Sequence, residues 1–233
     1  MNPEPLFLLQ VVMYAAFPLA FGALRPAVRL GLAYTYVGVV LVVGGVLGAV
    51  YLLPITDDIA VSGGSIAYGA LLLTTITLIL MDRDLEVVRT IIRIVVAVNI
   101  FKLGLYATTS SALRSDQAIN PNEVSPEVFS SSVRVVVVGG LLIIAELILL
   151  VAVYARVNAS VTDQNLVNAL YIATFVAVVT LDGALFPVLA FTTEPDLGDA
   201  VWRGMQSKLV LGLAFSIPLA LFLALYRSRI SAH

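Results

Sequence analysis

The polar side chains of this sequence that could do chemistry are few, and they lie inside long apolar stretches. The charged residues of first interest are Asp182, Lys208 and Glu146. At the centre of a membrane helix a charge costs about 2.5 to 3.5 kcal/mol on insertion scales, so each of these groups requires a partner, a water-filled cavity or neutralisation. A carboxylate accepts several hydrogen bonds and therefore suits the amidine or amine edge of a heterocyclic solute.

Asp182 and Lys208 are expected to meet. Asp182 lies about nine residues from the end of the stretch 166–191, which is roughly 13 Å deep at about 1.5 Å per residue. Lys208 lies one or two turns inside the next stretch, 200–226. Because consecutive membrane-crossing helices are antiparallel, this spacing predicts a direct or water-bridged ion pair.

Two interpretations of this pair are open. In the first, it is a salt bridge that only fixes the last two helices. In the second, Asp182 binds a solute together with Gln206 or Asn99, and Lys208 keeps the carboxylate ionised until the solute competes for it. Intramembrane carboxylates favour a functional role. Asn99 alone most often signals a hydrogen bond between helices.

Glu146 has no charged neighbour close to it on its own stretch, 133–155. It is therefore expected either to be protonated or to pair across the bundle with Lys102 or Arg93, and the role predicted for it is to carry a coupling proton. Arg93 and Arg134 lie nearer the ends of their stretches, and both are expected to snorkel to the lipid headgroups.

Several classes of function are disfavoured by what the sequence lacks. It contains no cysteine and a single histidine, His233, so neither a thiolate nucleophile nor a multi-histidine metal site is predicted. No serine elbow and no cluster of metal ligands is visible, so an enzyme is not expected and no cofactor is predicted. The net charge of -2 offers no basic surface for nucleic acid.

The elements that position these residues are membrane helices. Of the 233 residues, 60% are apolar and 12% are charged, and the mean hydropathy is +1.02, whereas a soluble domain is about half apolar and a quarter charged. Long apolar runs without alternation fit helices rather than barrel strands. The sequence therefore predicts an all-α, polytopic bundle of seven transmembrane helices in one integral membrane domain, 1–233. The predicted segments are 6–24, 31–54, 64–81, 87–107, 133–155, 166–191 and 200–226.

The charges between the segments predict the orientation of the bundle. Lys and Arg concentrate on the cytoplasmic side of membrane proteins. Here, arginines occupy the links after segments one, three and five and the C-terminal tail, while acidic residues dominate the other links. This partition predicts a multi-pass protein of the cell (plasma) membrane with its N-terminus outside and its C-terminus inside. The longest link, 108–132, is an outer loop that is either a plain linker or a lid.

Two prolines lie inside the last two segments and are expected to kink or break them. They are Pro187 and Pro218. Because Pro187 follows Asp182 by five residues, it frees backbone carbonyl groups near that acid, as happens in the discontinuous helices that line transport sites.

A set of short motifs occupies the region 45–226. In the last third, an Asp in a helix is followed by an acidic loop, an aromatic turn, a Lys and a Pro; earlier, a glycine-rich helix start precedes an Arg. The residues concerned are Leu181-Asp182-Gly183-Ala184-Leu185-Phe186-Pro187, Trp202 to Lys208, Pro218, Gly63-Gly64-Ser65, Arg89, Arg134 and Glu146. On these motifs the sequence resembles the VUT family of queuosine-precursor transporters. The resemblance implies a six-helix core over about 45–226, to which the region 1–30 adds an N-terminal helix.

This resemblance implies a secondary transporter for a small polar heterocyclic metabolite, such as a 7-deazaguanine precursor of queuosine. The expected partners are that solute and the lipid bilayer. An alternative is a membrane sensor or partner-binding module related to the input regions of signalling kinases, acting as a homodimer or with a separate signalling protein. The acidic turn at 81–86, which lacks the family's aromatic residue and glycine, favours this alternative, as does the additional helix.

Overall fold

Seven long helices account for most of the described chain. The computed structural model describes residues 2–82, 84–130, 133–192 and 196–226. Within these ranges all seven helices are long and apolar enough to cross a membrane, so the predicted all-α class of membrane bundle is confirmed. The helices are α1 (Pro3–Phe21), α2 (Pro26–Val50), α3 (Gly63–Asp82), α4 (Leu85–Leu113), α5 (Val133–Ser160), α6 (Gln164–Ala190) and α7 (Leu197–Leu225).

Local signals in the sequence explain where several helices begin. Pro26 is the first residue of α2, a position where its missing N–H costs nothing, so this helix starts earlier than predicted. Asp84 accepts a hydrogen bond of 2.8 Å from the backbone N–H of Glu86 and caps α4. Asp163 accepts one of 2.8 Å from the N–H of Asn165 and caps α6. Both aspartates satisfy donors that a helix start leaves free.

A short β-hairpin between α2 and α3 is absent from the sequence prediction. Strands β1 (Leu52–Pro54) and β2 (Ala60–Ser62) pair antiparallel, with Leu53 opposite Val61. Both of these side chains are buried, so one face of the hairpin lies against the bundle. Three residues per strand are too few for an apolar alternation to stand out beside a long apolar segment.

Helix α3 is the centre of the bundle. In its most apolar window, 78% of the residues are buried, compared with 33% or less in the other helices. The hydroxyls of Thr74 and Thr75 donate to the carbonyl oxygens of Ala70 and Leu71, so these buried polar groups are satisfied within the helix. The segment 71–78 is buried throughout.

A buried ion pair joins the start of α2 to the end of α3. Arg29 donates from Nε to Asp82 Oδ2 at 3.2 Å and from Nη2 to Oδ1 at 2.5 Å. Its Nη1 also donates to the carbonyl oxygen of Leu24 at 3.3 Å. The two charged side chains are only 6% and 12% exposed. The fork of the guanidinium therefore fixes the relative position of the two helices.

The two prolines do not break their helices. Helix α6 runs through Pro187 and helix α7 runs through Pro218 without interruption. Proline removes one helical hydrogen bond, but the packing of neighbouring membrane helices can hold the remaining turns together. Of the two predicted effects, a break in the helix is therefore not observed, and a kink stays a prediction.

Two arginines that were expected to snorkel also have partners within the protein. Arg93 binds the carboxylate of Glu86 at 2.6 Å, seven residues earlier on α4. Arg134 donates from Nη2 at 2.8 Å to both the carbonyl oxygen of Leu189 and the hydroxyl of Thr192. Carbonyl groups at a helix end lack helical donors. Arg134 thus ties the start of α5 to the end of α6.

Replacing Asp82 with asparagine should lower the free energy of unfolding by about 3 to 5 kcal/mol, because the buried guanidinium of Arg29 loses its counter-charge. The matched control is Glu86→Gln, which breaks an exposed ion pair and should cost no more than about 1 kcal/mol. Titration of both purified variants with SDS in mixed micelles measures the difference. Equal losses would contradict the role given to the pair.

Candidate functional site

A cavity of about 470 Å³ lies in the half of the bundle that carries the hairpin, with a wall formed by α2 to α7 and β2. Its volume falls in the range of about 300 to 1,000 Å³ that is usual for small-molecule sites. Most of the wall is apolar. The polar side chains that line it are Ser62, Ser65, Tyr68, Asn99, Lys102, Tyr106, Asp182, Ser207 and Lys208.

The predicted ion pair between α6 and α7 is present in the wall of this cavity. Lys208 Nζ lies 2.6 Å from Asp182 Oδ2. The two side chains are 14% and 9% exposed, so neither charge has much access to water. At this depth, each charge compensates the other.

Tyr68 of α3 connects this pair to a second carboxyl group. Lys208 Nζ lies 3.7 Å from the centroid of the Tyr68 ring, which is a cation–π contact. The Tyr68 hydroxyl donates to Glu146 Oε2 at 2.6 Å. Four helices, α3, α5, α6 and α7, thus contribute to one polar chain that runs from Glu146 through Tyr68 and Lys208 to Asp182. Sequence analysis missed Tyr68, although a tyrosine in a buried helix usually needs a hydrogen-bond partner.

Glu146 does not form the ion pairs expected for it. Among the described residues, its Oε2 accepts from Tyr68 and its Oε1 has no hydrogen-bond donor. Arg93 is bound to Glu86, and Lys102 makes no ion pair with Glu146. Of the two alternatives, ion pairing with Lys102 or Arg93 is therefore not observed among the described residues, and protonation of Glu146 stays a prediction.

Helix α4 contributes a second polar group of residues to the wall. Asn99, Lys102 and Tyr106 follow one another at intervals of three and four residues, the spacing of one helix face. Gln206, by contrast, is not among the residues that line the cavity. It precedes Lys208 by two residues, which is about 200° around the helix, and so belongs to another face of α7. The geometry brings Asn99, Asp182 and Lys208 to one cavity and leaves Gln206 outside its wall.

Two glycines allow α6 and α7 to approach closely beside the ion pair. A Cβ atom on Gly183 would overlap the backbone carbonyl of Gly204, and one on Gly204 would overlap the carbonyl oxygen of Gly183. Because residue 187 is proline, that oxygen also lacks its usual helical donor. Gly183 is adjacent to Asp182, and Gly204 is one turn before Lys208. The close crossing therefore sets the separation of the two charged side chains.

The long loop that follows α4 is folded against the α4 side of the cavity. Ser125 accepts from the N–H of Glu127 at 3.2 Å and begins a turn of 3-10 helix, Pro126–Phe129. The Phe129 ring packs edge-on against Tyr106 with 5.8 Å between the ring centroids. This loop therefore supports a residue of the cavity wall, and both interpretations of it, linker and lid, stay predictions.

Replacing Gly204 with alanine should lower the free energy of unfolding by about 1 to 3 kcal/mol, because the added methyl group meets the α6 backbone. The matched control on the same helix is Gly198→Ala, where a Cβ would contact nothing within 4 Å. Helix propensity alone should make that variant neutral or stabilised by up to about 1 kcal/mol. SDS titration measures both variants, and a Gly204→Ala variant as stable as Gly198→Ala would contradict the close crossing.

The chain matches a known protein family. Residues 15–223 match the family described as vitamin uptake-like sensor. No curated protein and no solved structure was found to match the chain. The resemblance to the VUT family is thus supported at the level of a vitamin-uptake-like membrane family, and the queuosine precursor is not. Seven membrane-spanning helices and a match over nearly the whole chain identify this multi-pass, vitamin-uptake-related membrane protein as a member of the vitamin uptake-like sensor family.

Proposed function

We propose that this protein is a sensor that binds a small polar metabolite in the cavity, with Asp182 as the residue that anchors it. The observation that carries the proposal is the Asp182–Lys208 ion pair in the wall of a ligand-sized cavity. A salt bridge with a purely structural role has no need of an adjoining space. No chemical reaction is part of the proposal, and the ligand leaves unchanged.

The ion pair suggests how a ligand is recognised. A heterocycle with an amidine or amine edge presents two donors, and a carboxylate accepts both. Such a ligand competes with Lys208 for Asp182. The displaced ammonium group keeps its contact with the Tyr68 ring, 3.7 Å away, which lowers the cost of the exchange. Because the Tyr68 hydroxyl binds Glu146, the exchange takes place beside residues of α3 and α5 and changes the charges that surround them.

Two observations support sensing over transport. The family that the chain belongs to is described as a sensor family. In addition, the central helix α3 is buried throughout 71–78, so the structure shows no opening along this segment that continues from the cavity. With the predicted orientation in the plasma membrane, the cavity lies in the outer half and receives solutes from outside the cell.

Helix α7 gives the site a connection to the opposite end of the bundle. The helix continues from Lys208 to the region of Tyr226, whose hydroxyl donates to the carbonyl oxygen of Leu19 at the end of α1. A displacement of Lys208 along α7 therefore reaches α1 through this contact. In this proposal a separate signalling protein detects the change at that end.

Asp182→Asn should weaken the binding of donor-rich heterocycles about 10- to 100-fold, because hydrogen bonds to a charged acceptor contribute about 1.5 to 3 kcal/mol. The assay is isothermal titration of protein in nanodiscs with a panel of nucleobases, pterins and related heterocycles, preceded by a thermal-shift screen. The matched control is Asp163→Asn, the same change at the cap of the same helix, where asparagine also caps well. Equal affinities in wild type and Asp182→Asn would contradict the proposal.

Transport is a second candidate, and the proline after Asp182 favours it. Pro187 lines the cavity and leaves the carbonyl oxygen of Gly183 without its helical donor, a feature of helices that line transport sites. The resemblance to the VUT family implies a 7-deazaguanine compound as the solute. In this candidate function, Glu146 carries the coupling proton.

Uptake into proteoliposomes separates the two candidates. A transporter should accumulate labelled 7-deazaguanine precursors with time, and Asp182→Asn should reduce the rate at least about 10-fold, in line with the loss of charge-assisted hydrogen bonds. Asp163→Asn should leave the rate unchanged. A sensor should bind the compound in nanodiscs and show no accumulation beyond the level of empty liposomes. Accumulation that is the same in all three proteins would exclude Asp182 from transport.

A further inference from the structure

The polar face of α4 differs from the Asp182 site, because its cation has no counter-charge among the described residues. Lys102 lines the cavity but forms no ion pair or hydrogen bond with any described residue. Lys208 on α7, by comparison, has both Asp182 and the Tyr68 ring as partners. One of the two ammonium groups in the cavity wall is therefore compensated, and the other is not.

A second donor without a partner lies beside Lys102. Tyr106, one turn further along α4, is 3% exposed, and its hydroxyl is buried without a hydrogen-bond partner among the described residues. Buried hydroxyls are rarely left unpaired, because the loss of water is then uncompensated. The hydroxyl and the ammonium group are both hydrogen-bond donors, and no described residue accepts from either of them.

A glycine of α2 lets both of these side chains pack against the helix backbone. A Cβ atom on Gly45 would lie 3.3 Å from Lys102 Nζ and 2.9 Å from its Cδ. It would overlap the Tyr106 hydroxyl, which occupies the place that a larger residue would need. The bare backbone of Gly45 thus allows the ammonium group and the hydroxyl to lie next to each other in the cavity wall.

We propose that Lys102 and Tyr106 form an anion subsite that binds a carboxylate group of the ligand. This inference rests on the proposed function and names the class of ligand: a small heterocycle with a donor edge at one end, bound by Asp182, and a carboxylate at the other. A single carboxylate compensates the one unpaired ammonium group and accepts from the Tyr106 hydroxyl. In a mostly apolar cavity this compensation favours a monoanion over a dianionic phosphate, since a second negative charge would have no counterpart.

Matched acid and amide probes test the subsite. The probes are 7-deazaguanine-7-carboxylate with its primary amide, pterin-6-carboxylate with its primary amide, and benzoate, which has a carboxylate but no donor edge. Titration calorimetry in nanodiscs should show that each heterocyclic acid binds wild type roughly 10- to 100-fold more tightly than its amide, the increment of a charge-assisted hydrogen bond.

The preference for acid over amide should depend on Lys102 and Tyr106 of α4. Lys102→Gln should remove the preference for acid over amide, because acid affinity falls much further than amide affinity when the positive charge is lost. Tyr106→Phe should reduce the preference roughly 3- to 10-fold, the size of one neutral hydrogen bond. Gly45→Ala removes no charge, but its methyl group would displace the Tyr106 hydroxyl and the Lys102 side chain, so this variant should also reduce the preference for acid over amide. The matched control is Arg93→Gln, which removes an exposed cation from the same helix and should change neither affinity.

The outcomes distinguish the subsite from the proposed function. Equal binding of acid and amide by wild type, with both lost in Asp182→Asn, would overturn the subsite and leave the proposed function standing. An acid preference that depends on Lys102 but not on Asp182 would support the subsite and overturn the anchoring role of Asp182. Failure of every carboxylate, including benzoate, to bind wild type would overturn the subsite. Tyr106→Phe and Gly45→Ala decide the question if Lys102→Gln does not fold.

Discussion

A charge within an apolar bundle must be compensated, and the structure around the cavity follows from how this is achieved for Asp182. Its counter-charge, Lys208, comes from the next helix and lies 2.6 Å away. That distance requires α6 and α7 to be in backbone contact, which Gly183 and Gly204 allow because neither has a side chain. A bulkier residue at either position would separate the helices and leave two poorly compensated charges in the bilayer. The ion pair and the glycine crossing are therefore one structural unit.

This unit is coupled to the rest of the bundle through Tyr68. The residue belongs to α3, the most buried helix, and it contacts Lys208 with its ring and Glu146 with its hydroxyl. A change in the Asp182–Lys208 contact therefore alters the environment of helices on several sides of α3. At the opposite end of the bundle, the forked Arg29–Asp82 pair holds α3 to α2. One end of the bundle is thus firmly tied, while the polar contacts at the other end are the ones that the proposed ligand would rearrange.

The two sides of the cavity wall differ in whether their charged groups have partners. On the α7 side, the ammonium group of Lys208 has a carboxylate and an aromatic ring as partners, while on the α4 side, Lys102 and the Tyr106 hydroxyl have none among the described residues. An acceptor on one side and unoccupied donors on the other match a ligand that carries both kinds of group. The volume of the cavity, about 470 Å³, also suits a small heterocycle.

The sequence by itself determined the features that depend on neighbours along the chain. Seven apolar segments predict seven helices, because each segment in lipid must satisfy its own backbone hydrogen-bonding groups. The Asp182–Lys208 pair could be predicted because the two helices are consecutive and antiparallel, so depth alone brings the residues to one level. The tertiary structure alone decided which helix faces meet. In the structure, Glu146 accepts a hydrogen bond from Tyr68 and does not pair with Lys102 or Arg93. Arg29 pairs with Asp82, and Gln206 lies outside the cavity wall. Those contacts join helices that are distant in sequence, and their packing depends on the rotation of each helix about its own axis, which no local pattern specifies.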